Sequence, residues 1–199
     1  MKVVAVLEED LATSRLGLAS RAASDLGGES VLAATVRGLV EWGGLEAVAI
    51  LCPPSARTAL AGLLAGLPVS FHDTSPSPID RSRLLRARKW ALSSWRSAHT
   101  QATVFDEWGS PGDLRRVLVE TGAGALLKLP VLNPLVDGAL VREFVGDAIG
   151  GGRSARFLLA PPGFALEFYR RAFFDEWRNG PIASVLRPIC RKAVSDPVS

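Results

Sequence analysis

The chain has 199 residues, 48% hydrophobic and 22% charged. That is the balance of a globular protein with a real core and excludes a largely disordered chain. The net charge of +3, with a pI near 9.2, is too mild to argue for nucleic acid by itself. No apolar run approaches the roughly 18 residues that a spanning helix needs, and the start, Met1 to Glu9, is too short and too acidic for a signal peptide. Two cysteines, Cys52 and Cys190, are too few for a disulfide framework or a cysteine metal site. The expectation is a cytoplasmic protein with reduced thiols and no membrane partner.

Lys2–Leu7 is a short apolar run rich in β-branched residues and reads as a buried first strand. A long polar and small-residue loop, Glu8 to Gly28, follows it. Ser30 to Trp42 has helical spacing and stops at Gly43-Gly44. Glu46–Cys52 reads as a second strand, Ser55–Leu64 as a helix and Leu67–Phe71 as a third strand. A Ser/Pro/Asp loop leads to a helix capped by Asp80 and running to about Ala98. Thr103–Phe105 is a candidate strand. A helix over Pro111–Glu120, a strand over Ala125–Leu129 and a helix from Asn133 to Ile149 come next. Ala155–Ala160 reads as a strand, and the stretch from Ala165 to Arg178 as a helix.

Strands alternating with helices predict a mostly parallel sheet covered on both faces, a three-layer α/β/α Rossmann-like domain. The expected division is a domain over 1–178 and an irregular tail or linker over 179–199. The tail reads either as a frayed terminus or as the lead into a second domain.

In open parallel sheets ligands sit beyond the carboxyl ends of the strands. The Glu8–Gly28 loop leaves that edge and carries Arg15-Leu16-Gly17-Leu18-Ala19-Ser20-Arg21. A glycine between two arginines suits polyphosphate, because glycine lets the backbone approach and guanidinium groups donate forked hydrogen bonds to oxyanions. A solvated basic loop is the simpler reading of the spacing alone.

Several other features have ordinary structural readings. Arg81, Arg83, Arg86, Arg88, Lys89 and Arg96 crowd one predicted helix beside Trp90 and Trp95, and a solvated basic face accounts for them better than an anion or partner-docking surface. One basic helix makes a weak case for nucleic acid. Asp106-Glu107, after the candidate strand, reads as a turn or cap, with metal binding at Asp106 as the alternative. His72 and His99 lack a second metal ligand at fixed spacing. Cys52 ends an apolar strand and reads as a core thiol.

The run Ser14–Arg21, followed by Asp25-Leu26-Gly27-Gly28-Glu29-Ser30-Val31-Leu32 and a helix, resembles the GT-A-fold nucleotidyltransferases, of cytidylyltransferase and molybdenum-cofactor guanylyltransferase type. Their first strand leads into a Gly- and Arg-containing loop, a basic residue, and a Gly-x-Pro-Leu-like turn that opens a helix. Gly28-Glu29-Ser30-Val31 stands at that turn, and Arg21 stands where the family has its lysine. The family's Gly-Gly after the first strand is replaced here by Glu8-Glu9-Asp10, and three acids would repel a triphosphate unless a cation intervened. The second match is Ala125 to Asp137, where the family has a strand, an Asp-x-Pro segment and a helix, and that Asp holds magnesium. Here Pro134 is in register but Leu132 occupies the Asp position. Leu cannot bind a hard cation, and Asp137 reads as a helix N-terminal acid.

The resemblance covers about residues 1–178. It implies phosphate binding by Arg15, Gly17 and Arg21, a nucleotide or sugar nucleotide as ligand, and Mg²⁺ if the chain is active. With Leu132 in place of the ligand, it favours a degenerate nucleotide-binding or accessory domain over an active nucleotidyltransferase moving NMP from an NTP to a phosphorylated or sugar acceptor. A narrower resemblance, through Arg15–Leu18, Phe105–Glu107, Asn133–Asp137 and Ala160–Gly163, is to nucleotidyltransferase-like domains that precede radical-SAM/SPASM domains, and implies such a C-terminal partner domain in a longer chain. This chain has no Cys-x3-Cys-x2-Cys cluster of its own.

Overall fold

The computed structural model describes residues 1–12, 19–41, 45, 47–75, 110–131, 133–159 and 165–179. Strands β1 (Val3–Glu8), β2 (Ala47–Cys52), β3 (Val69–Asp73), β4 (Ala125–Lys128), β5 (Ala155–Leu159) and β6 (Ala165–Arg170) form one sheet in the order β3-β2-β1-β4-β6-β5. Strands β3, β2, β1 and β4 run parallel; β6 is antiparallel to both β4 and β5.

The sheet has apolar residues on both faces because its central strands read as continuous apolar runs. Val3, Ala5 and Leu7 point to one side, Val4 and Val6 to the other. The first side is covered by α1 (Val31–Glu41), α2 (Arg57–Leu63) and α4 (Gly138–Gly150), through Leu32, Val36, Leu39, Leu60, Val141 and Phe144. The second is covered by α3 (Ser110–Thr121) and α5 (Arg171–Asn179), through Leu114, Val117, Leu118 and Phe174. This is the expected three-layer α/β/α architecture with a mostly parallel sheet.

The topology fixes where a ligand would sit. From β1 the chain steps outward to β2 and β3, then returns to lay β4 on the opposite flank of β1. The strand order therefore reverses at β1/β4, and the crevice beyond their carboxyl ends is the switch point of the sheet.

Two elements differ from the sequence reading. Residues 165–170 form strand β6, and the helix begins only at Arg171. The reason is an alternation of period two: Leu166 and Phe168 enter one core while Glu167 and Tyr169 face the other side. The helix expected from Asn133 starts at Gly138 instead. Its N-cap is Asp137, whose Oδ1 accepts from the backbone N–H groups of Ala139 and Leu140 at 2.8 and 3.2 Å. Asp137 is thus a capping residue, as its position suggested. The expected helix over 80–98, the strand over 103–105 and the basic face with Trp90 and Trp95 lie outside the described residues. Among the described residues no helix is long and apolar enough to cross a membrane.

Replacing Asp137 by Ala removes the acceptor for two N–H groups and is expected to cost about 1 kcal/mol. Urea unfolding followed by circular dichroism measures it.

Candidate functional site at the carboxyl edge of β1 and β4

The loop after β1 is organised by carboxylates. Glu9 continues the β1–β2 ladder by donating its N–H to the Leu51 carbonyl, then turns its side chain inward, where it is 8% exposed. Its Oε1 accepts the Leu11 N–H at 2.6 Å, and the Ser20 hydroxyl also bonds to it. Burial is the chief influence on this carboxyl; it outweighs those hydrogen bonds and raises the pKa above its ordinary value. Asp10 accepts the Ala12 N–H in the same manner. Leu11, between these turns, adopts a φ of 60°, a left-handed conformation that costs free energy in a branched residue. The Ser20 N–H donates to the Ala12 carbonyl and closes the neck of the loop.

Beyond that neck the chain makes a tight turn. Leu26 donates to the Glu29 carbonyl, and Gly27 and Gly28 take φ values of 68° and 100°, which a side chain would resist. Asp25 Oδ1 accepts the Gly28 N–H. Ser30 then opens α1, its Oγ accepting the Ala33 N–H at 3.1 Å. The segment matched to the Gly-x-Pro-Leu-like turn does start a helix, with Ser30 acting as the cap.

On the β4 side, Thr35 of α1 is fully buried and ties the helix to the outgoing chain. Its hydroxyl reaches the carbonyls of Val31 and Val131 at 2.9 and 2.8 Å and accepts the Asn133 N–H at 3.3 Å. Asn133 is itself buried, and its Nδ2 has no hydrogen-bond partner among the described residues. At the end of β4, Lys128 is 8% exposed, and its Nζ lies 3.2 Å from Glu8 Oε1 at the end of β1. Lys128 also stands in register with Glu167 of β6, whose Oε2 accepts the Tyr169 hydroxyl. By the alternation of the strands, Glu8, Lys128 and Glu167 share one face of the sheet.

Of the residues proposed from sequence for phosphate binding, Arg21 is exposed on the outward run of the loop, its carbonyl accepting the Ser24 N–H. Arg15 and Gly17 lie outside the described residues, as do Leu132 and Asp106. His72 is no metal ligand: Nδ1 is 2.6 Å from Glu120 Oε2 and Nε2 is 2.9 Å from Ser70 Oγ, which pins edge strand β3 to α3. Cys52 is a buried free thiol, its pKa raised chiefly by burial.

Lys128 was absent from the sequence-based site. The available signal was a single charge inside the apolar run Ala125–Leu129, in a strand expected to be covered on both faces.

The carboxylates described at this edge already have other partners. Among the described residues no group of three or more His, Cys, Asp or Glu is placed to hold a metal ion. Glu8 faces an ammonium, Glu9 and Asp10 accept backbone N–H groups, and Asp137 caps α4.

No family model matches the chain, and no curated protein does. Solved structures match over nearly all of it. A cytidylyltransferase from Leptospira borgpetersenii serovar Hardjo-bovis has a TM-score of 0.59 at 14% identity, over 90% of this chain and 65% of that one. A CMP:2-keto-3-deoxy-manno-octonic acid synthetase complexed with CTP has a TM-score of 0.55 at 12% identity, over 96% and 85%. A Mycobacterium tuberculosis H37Rv protein in complex with manganese has a TM-score of 0.52 at 14% identity, over 95% and 82%. The chain spans a little under two thirds of the Leptospira protein. At these identities the likeness is one of fold: the domain has the architecture of the nucleotidyltransferases.

Two substitutions test this geometry. Thr35→Val keeps the shape of the side chain but strands the Val131 carbonyl and the Asn133 N–H, and is expected to cost about 1–3 kcal/mol in urea unfolding. For Glu9, a raised native pKa means that the folded chain binds more protons than the unfolded one from about pH 4.5 upward to the native value. Wild-type stability therefore falls as pH rises through that window and levels off above it. Glu9→Gln lacks this component, so its stability relative to wild type should climb across the window. Unfolding midpoints of both proteins between pH 4 and 8 check it, and a constant difference would refute it.

Proposed function

We propose that this chain is a nucleotidyltransferase-type domain that binds a nucleotide or sugar nucleotide and has lost the metal-dependent transfer step, acting as a nucleotide-sensing or accessory module. The observation that carries the reading is the carboxyl edge of β1 and β4. It lies at the switch point of a nucleotidyltransferase-type sheet, where buried polar groups gather at an edge that packing alone would leave apolar. The CTP complex among proteins of the same fold supports a nucleotide as the ligand class. Arg15, Gly17 and Arg21 are the proposed phosphate-binding residues, on the loop that leaves the neck between Ala12 and Ser20.

The loss of transfer rests on Leu132 at the sequence position expected for the magnesium ligand and on the partnered carboxylates Glu8, Glu9, Asp10 and Asp137. Two-ended displacement at phosphorus depends heavily on a cation that neutralises developing charge. The competing reading keeps Mg²⁺ chemistry through a displaced ligand such as Asp106, and the manganese complex of the same fold favours it. An accessory role agrees with the resemblance to domains that precede radical-SAM/SPASM domains, and a nucleotide ligand agrees with a cytoplasmic setting.

Calorimetric titration with CTP, GTP, ATP and UTP, with and without Mg²⁺, tests the proposal. The expected result is binding of at least one nucleotide and no release of pyrophosphate. Release of pyrophosphate in Mg²⁺ would establish the enzyme reading instead, and silence with all four would overturn nucleotide binding.

A further inference from the structure

We infer that Lys128 is a tethered cation that takes the place of a divalent ion at the β1/β4 crevice, so that the site binds the phosphate oxygens of its ligand without a metal. The inference deepens the nucleotide-binding reading and, for nucleotides, rests on it.

The first argument is position. Lys128 closes β4 and Glu8 closes β1, so their contact spans the switch point itself. The second argument is valence. An ammonium has three N–H donors, and Glu8 Oε1 is the acceptor found for Nζ among the described residues. A lysine carried this far from water keeps its charge only where acceptors replace its hydration. Glu8, partly exposed, is its acidic partner among the described residues, and the ammonium has donors for further acceptors. Five residues on, the buried Asn133 carboxamide presents an unpartnered Nδ2. Both groups are hydrogen-bond donors on the chain that ends and leaves β4; Nζ has donors to spare beyond Glu8, and Nδ2 has no acceptor among the described residues. Phosphate oxygens are acceptors and nothing else.

The third argument excludes the alternative. A divalent ion at Glu8 would lie within a few ångströms of the Lys128 ammonium, and like charges so close repel by several kcal/mol even with partial screening. Glu167, the acid in register with Lys128 on the other flank, already accepts the Tyr169 hydroxyl. The row Glu8–Lys128–Glu167 therefore places a covalently held positive charge between two acids. That arrangement needs no magnesium ligand at position 132, where the chain has Leu.

The test uses inorganic tripolyphosphate and CTP, titrated into the whole chain in EDTA and in Mg²⁺. Tripolyphosphate reads the anion site with no base or sugar to be recognised. Binding in EDTA as strong as in Mg²⁺ is expected, with Lys128→Met about ten- to a hundredfold weaker, as for loss of a charge-assisted hydrogen bond. Lys128→Arg, which keeps the charge, should stay close to wild type. Glu8→Gln, which removes the competing carboxylate, should bind tripolyphosphate more tightly than wild type. That gain also decides the matter should Lys128→Met fail to fold. Binding that vanishes in EDTA, or that ignores both Lys128→Met and Glu8→Gln, overturns the inference and leaves nucleotide binding standing. Lys128-dependent binding of tripolyphosphate with no binding of any nucleotide upholds the inference and overturns the nucleotide reading. Failure of both ligands overturns both.

Discussion

The ion pair between Lys128 and Glu8 is the constraint around which the carboxyl edge is arranged. An ammonium has been brought into a sheet whose other central residues are apolar on both faces, and the two charges repay their lost hydration only by lying together. Their contact, at 3.2 Å, holds the ends of β1 and β4 in register. These two strands belong to opposite halves of the topology, since β4 arrives after the chain has already wound out through β2 and β3. The pair thus ties together the two halves at the one place where neither a hairpin nor a crossover helix does so.

The same edge shows how carboxylates can build a loop rather than hold a metal. Three consecutive acids would repel one another if all three faced solvent at the mouth of the crevice. Instead Glu9 turns inward onto the Leu11 N–H and the Ser20 hydroxyl, Asp10 takes the Ala12 N–H, and Glu8 meets Lys128. The cost appears at two points: the raised pKa of Glu9 and the left-handed backbone of Leu11. Thr35 performs the equivalent task on the other side, feeding a hydroxyl between α1 and the chain leaving β4. The neck of the loop and the exit of β4 are therefore both held by buried polar contacts.

Much of the architecture was legible because apolar runs and their punctuation are local. Val3–Leu7 and Ala47–Cys52 are continuous and β-branched, and Gly43-Gly44 and Pro53-Pro54 mark where elements end. The error at 165–170 has a physical origin. Ala, Leu, Glu, Phe, Tyr and Arg over six residues suit either period, and the choice of strand was made by the open edge of β4, a tertiary partner that no window of sequence contains. Asn133-Pro134 misled for a related reason: Pro tolerates the first turn of a helix, but the capping carboxylate of Asp137 offers two N–H groups a partner three residues later. The site was read less completely than the fold. Acids at the end of β1 were seen as a liability for a polyanion, without the burial and pairing that neutralise them, because those depend on β4 and on Ser20. Lys128 was passed over because a strand was assigned by its apolar majority, although the lone charge was the informative residue.

The fold and the carboxyl edge are enforced by different residues. The sheet is held by side chains such as Val4, Val6, Ile50 and Leu127, none of which can touch a ligand beyond the strand ends. A lysine at position 128 is different. It must be largely desolvated, and it is paired with Glu8 across the strand ends. On the proposed reading, Leu at the sequence position matched to the magnesium ligand and the ammonium at 128 belong to one arrangement, in which the chain itself supplies the positive charge of this edge.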